Sequence, residues 1–131
     1  MTDEEIFNTD YVIIDILPSQ VPQSSQGQYF AVERYFLKEQ MDRIKQKHID
    51  LILKLNCYME LTYGEEINPD PEIIVSDMKR STVIIRRNDS LIVSEPDSTY
   101  LTLYNADEEL LSLIKTLSVG EGLYVWSPPE G

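Results

Sequence analysis

Few groups in this chain could do covalent or metal chemistry. His48 and Cys57 are the only histidine and the only cysteine among 131 residues. Both fall in one stretch of helical periodicity, nine residues apart. On a straight helix that is about 13 Å of rise, beyond the hydrogen-bond reach of a Cys–His nucleophile pair. His48 lies in an apolar row between Ile44 and Leu51, where an imidazole is more often a core or interface group than a base. Cys57 is expected to be a buried, inert thiol. A transition metal would have to rely on carboxylates. Acids crowd at Glu65, Glu66 and positions 68–72, off the spacing of a calcium loop and among prolines. Five glycines, none in phosphate-loop context, and the absence of a nucleophile elbow or a paired-histidine zinc motif complete the survey. No metal and no cofactor is expected, and the balance leans away from an enzyme.

The basic residues offer a second kind of chemistry. The chain carries a formal charge of −12, from 23 acids and 11 bases. The bases gather in two blocks against an acidic background. One spans Arg34 to Lys54; the other comprises Lys79, Arg80, Arg86 and Arg87. The first reads as the solvated face of a helix. The second is a candidate phosphate site, because arginine suits bidentate phosphate contacts. The net charge opposes generic nucleic-acid binding and anionic membranes, yet would steer a basic protein toward the chain.

A third signal is a row of large aromatics. Side chains alternate faces along a strand. In Tyr100–Tyr104, "YLTLY", Leu101 and Leu103 point one way while Tyr100 and Tyr104 point the other. In "GLYVW", Leu123 and Val125 oppose Tyr124 and Trp126; in "YVIIDIL", Tyr11, Ile13 and Asp15 share a face. Tyr11, Tyr100, Tyr104, Tyr124 and Trp126 therefore form one amphipathic aromatic face. The favoured expectation is that a long helix lies on it. The alternatives are a protein partner or a homodimer, whose interfaces favour such residues, and then a small ligand.

The elements that must position these residues follow from periodicity. "YVIIDIL" reads as a largely buried strand ended by Pro18, and a proline- and serine-rich loop follows. Phe30, Leu37, Met41, Ile44, His48, Leu51, Leu55 and Met59 form one face of a helix from about Tyr29 to Leu61, roughly 50 Å long. "TYGEEINPDPE" reads as a loop, with Asn68 capping a short helix. "STVIIRR", "SLIVSE" and "TYLTLY" read as an antiparallel meander. Asn105, with Glu108 three residues on, would cap a further helix ended by Gly120 and Gly122. A final strand would then pair in parallel with "TYLTLY" through a right-handed crossover.

The expected class is α+β: a single domain over 1–131, two layers, in the order β-α-α-β-β-β-α-β. Its mixed, mainly antiparallel sheet has about five strands, with one long and two shorter helices. The acidic N-terminus lacks the pattern of a signal peptide, and a cytoplasmic protein is expected. The functional expectation is a small acidic, non-catalytic interaction or regulatory module for a protein partner, possibly basic. The alternative is a sensor of nucleotide phosphate or another small ligand.

Overall fold

A computed structural model describes residues 1–129. It is an α+β structure in which seven strands form one sheet in the order β3-β2-β4-β5-β6-β1-β7. The five expected strands are β1 (Tyr11–Asp15), β4 (Val83–Arg87), β5 (Ser90–Ser94), β6 (Tyr100–Tyr104) and β7 (Tyr124–Trp126). The other two, β2 (Thr62–Tyr63) and β3 (Glu66–Ile67), form a hairpin within the stretch read as a loop, turning at Gly64, whose φ is +61°. Every neighbouring pair is antiparallel. The expected parallel pairing of β6 with β7 is therefore corrected. β1 lies between them and pairs with both, so its apolar run has a ladder on each side, while β6 and β7 still run in the same direction.

The helices are α1 (Asp3–Phe7), α2 (Gln26–Tyr35), α3 (Met41–Tyr58), α4 (Pro71–Arg80) and α5 (Glu108–Glu121). A π-helical turn, Phe36–Gln40, joins α2 to α3, so residues 26–58 form one rod about 50 Å long. The expected apolar row is buried only from Ile44 onward: Ile44, His48, Leu51 and Leu55. In α2 and the π turn the less exposed positions are instead Tyr29, Glu33 and Phe36, while Phe30 and Leu37 are more exposed. A π turn holds an extra residue, and the phase of the row slips by one across it.

Two caps differ from expectation. Asp70, not Asn68, caps α4 by accepting from the Glu72 N–H at 2.8 Å, and Pro71 occupies the first helical turn. Asp107, not Asn105, caps α5 by accepting from the Leu110 N–H at 2.8 Å. Asn68 and Asn105 both adopt left-handed backbone and serve as turn residues instead. Gly122 ends α5 at φ +72°, as its position predicts. An unexpected third short helix, α1, is closed by a capping box between Thr2 and Glu5.

The core lies between the sheet and α3, α4 and α5. Ile14, Leu101, Leu103, Ile85 and Ile92 of the sheet meet Ile49, Ile52, Leu55, Ile74, Met78 and Ile114 of the helices. Ile14, Leu101 and Leu103 are on the face opposite the aromatic row. The expectation that the long helix lies on the aromatic face is thus overturned. The α3 stripe is aliphatic and packs densely against the aliphatic face, burying apolar area that the hydroxyl-tipped face could not match.

The rod then crosses the end of the sheet. Lys45, on the basic stretch read as solvated, is buried there. Its ammonium donates to Ser94 Oγ at 3.0 Å and to the Glu95 carbonyl at 2.7 Å, with His48 Nδ1 at 3.5 Å. Burial lowers the Lys45 pKa to about 8, against the pull of Asp97 and Glu95.

Only part of the rod is held by the core, which sets a contrast. Leu55→Ala, which truncates a fully buried side chain, is expected to cost about 2–5 kcal/mol in urea unfolding. Leu37→Ala, on the exposed α2 side of the rod, is expected to change stability by less than about 0.5 kcal/mol.

Candidate binding cleft on the aromatic sheet face

The register aligns the aromatic face in rows. Tyr11 is opposite Tyr104, and Asp15 lies between Tyr100 on one side and Tyr124 on the other. Ile13 pairs with Thr102 and Trp126. The five aromatics do share one face, but they do not share one environment. At the β5–β6 end, α1 packs on the sheet: the Phe7 ring meets Tyr104 edge-on at 5.0 Å, with Tyr11 at 5.5 Å from Tyr104. Tyr104 is therefore covered. Tyr11, Tyr100 and Tyr124 remain 42%, 41% and 49% exposed.

At the other end, α2 and the 17–26 loop stand over the face without sealing it. They leave a cleft of about 290 Å³. Its floor is Tyr11, Ile13, Asp15, Tyr100 and Trp126; Tyr29 and Phe30 form its far wall. Each wall has a sequence origin. β1 stops at Asp15, the chain turns through Pro18, and the helix that follows brings Tyr29 and Phe30 beside the strands it has just left.

Asp15 is the chemically distinctive group. It is 8% exposed, on an otherwise apolar strand. The Ile16 N–H donates to its Oδ1 at 2.7 Å. Among the described residues, no lysine or arginine lies within ion-pair distance of Asp15 or of nearby Glu33. Burial raises the Asp15 pKa, opposed by the backbone N–H groups of Ile16 and Leu17 and by the nearby Trp126 indole, while Glu33 adds to the rise. The indole N–H is close enough to act on the carboxylate electrostatically, yet it is buried and outside hydrogen-bond geometry. Tyr29 donates to Glu33 Oε2 at 2.7 Å, and burial together with this acceptor raises its pKa. It stays a neutral phenol at any ordinary pH.

Asp15, Tyr29 and Phe30 were not legible as site residues. The one available signal was an acid inside "YVIIDIL", on the aromatic side of the strand. Comparison with protein-family models, with curated proteins and with solved structures yields no match. The cleft is therefore read from its own geometry.

The four candidate phosphate residues are not brought together. Lys79 and Arg80 end α4, before β4 begins, whereas Arg86 and Arg87 end that strand. Arg86 and Arg87 are adjacent strand residues and point to opposite faces. Arg86 is engaged by Asp3, Asp89 and the Met1 and Asn88 carbonyls. Arg87 turns toward the Glu60 carbonyl, and Arg80 donates to Ser76.

His48 is fully buried, and burial plus the Lys45 ammonium lower its pKa to about 3. Cys57 is exposed rather than buried, because it lies on the face of α3 opposite the core stripe of Leu51, Ile52 and Leu55. No cluster of three or more potential metal ligands occurs among the described residues, and no helix there is long and apolar enough to cross a membrane.

Two titrations follow, with opposite signs. A carboxyl whose folded pKa is raised contributes stability at low pH that is lost as pH climbs through the folded pKa. Asp15→Asn is therefore expected to melt above the parent at pH 7, with the gain disappearing below about pH 4. A histidine whose folded pKa is lowered makes the protein lose stability as pH falls from about 6.5 toward about 3. Urea unfolding of His48→Met is expected to show a shallower decline across that window.

Proposed function

We propose that this protein is a small acidic, non-catalytic interaction module of the cytoplasm that engages a basic protein partner through its aromatic sheet face. The observation that carries this reading is the open cleft beside Tyr100 and Trp126, on a face the long helix covers only in part. Amphipathic aromatics are what interface cores prefer. The charge of −12 supplies a field that speeds encounter with a cationic protein. The one imidazole is fully buried beside Lys45 and does not line this cleft.

Native mass spectrometry of the protein, purified gently at low salt from the cells that make it, tests the reading. A stoichiometric basic protein in the same peak is expected. Tyr100→Ala and Trp126→Ala, still folded, should each weaken that complex by about tenfold or more, equivalent to about 1.4 kcal/mol. Bare monomer or homodimer, or a complex that ignores both substitutions, would contradict it.

A further inference from the structure

We infer that the cleft is an arginine pocket: it takes a guanidinium side chain presented by the protein partner, held against the aromatic walls and hydrogen-bonded to Asp15. This rests on the reading of the aromatic face as a docking surface, and adds which chemistry the partner must present.

Size limits the occupant first. At about 290 Å³ the cleft falls at the bottom of the range for drug-sized ligands, and suits one long side chain better than a nucleotide. Charge limits it next. Asp15 is held deep in the floor with no cation of its own, and Glu33 stands on the neighbouring helix turn. An uncompensated buried carboxylate is costly, and a cation supplied from outside would relieve that cost. Anionic groups meet the Asp15 carboxylate and the field of the whole chain. A divalent metal would need some six oxygen ligands, and the walls are mostly carbon.

The walls favour arginine among organic cations. Tyr29, Phe30, Tyr100 and Trp126 line the cleft, and aromatic rings attract cations placed over their faces within about 6 Å. The guanidinium is planar, stacks on such faces and is more weakly hydrated than an ammonium, so it loses less on leaving water. Ile16 donates to Oδ1, and with Leu17 and the Trp126 indole nearby a carboxylate still has acceptor capacity for a ligand.

Trp126 is the only tryptophan, so its emission reports on the cleft alone. The full chain would be titrated with N-acetyl-arginine amide, with the citrulline counterpart, which is nearly the same shape but neutral, and with the lysine counterpart. The arginine compound is expected to saturate a change in Trp126 emission with a Kd near about 1 mM, as befits a single anchoring side chain. Citrulline should bind at least tenfold more weakly, with lysine between. Asp15→Asn, which remains folded, should erase the preference for arginine over citrulline. Equal binding of citrulline, tighter binding of lysine, unchanged arginine binding to Asp15→Asn, or no response to any compound would each overturn the arginine pocket. Loss of the partner from Tyr100→Ala and Trp126→Ala would still uphold the docking face in those cases, so the two failures are separable.

Discussion

The rod of residues 26–58 is too long for the sheet it packs on, and the rest of the structure follows from that mismatch. A rod of about 50 Å exceeds the diameter of a small domain. Only the stretch from Ile49 to Leu55 finds an apolar bed, against Ile14, Leu101 and Leu103. The remainder must pass the sheet end or protrude. It does the first through Lys45, whose ammonium is bonded to Ser94 and Glu95 where β5 stops. Removing one partner from such a buried polar anchor leaves the other unsatisfied, which is why it fixes where the rod crosses. The π turn before it then re-phases α2, so that Tyr29 rather than Leu37 turns back toward the strands.

That crossing creates the cleft. One helix serves both faces of the sheet, densely on the aliphatic face and loosely on the aromatic one. A fully covered aromatic face would have left Asp15 without solvent or partner, at a prohibitive desolvation cost. The open cleft instead leaves the buried carboxylate beside open space. Stability given up at one carboxylate beside an open cleft is the observation on which the proposed binding site rests.

Much of the architecture was legible from local physics. Alternation in "YLTLY" and "GLYVW" assigned each side chain to its correct face, because a strand has a period of two whatever its neighbours do. The Ile44–Leu55 stripe and the Gly122 stop were readable for the same reason. Other features depend on long-range choices. The place of β1 between β6 and β7 rests on which ladder satisfies more backbone groups, and no window of sequence encodes that. The π turn leaves no composition signal, so the row appeared to continue back to Phe30. The capping box of α1 was present as Thr2 and Glu5, but a five-residue helix carries too little periodicity to stand out. Asp15 looked like one acid among 23, and only burial separates it from the others.

The central claim is that the aromatic face is open and its cleft negatively charged. Collisional quenching of Trp126 fluorescence tests it most directly, using neutral acrylamide, cationic caesium and anionic iodide against a free tryptophan amide standard. Acrylamide should reach the indole, and caesium should be favoured over iodide relative to the standard. Shielding from all three quenchers would mean that the helix or another element covers the face. Preference for iodide would mean that the cleft does not attract cations. Either result would contradict the account.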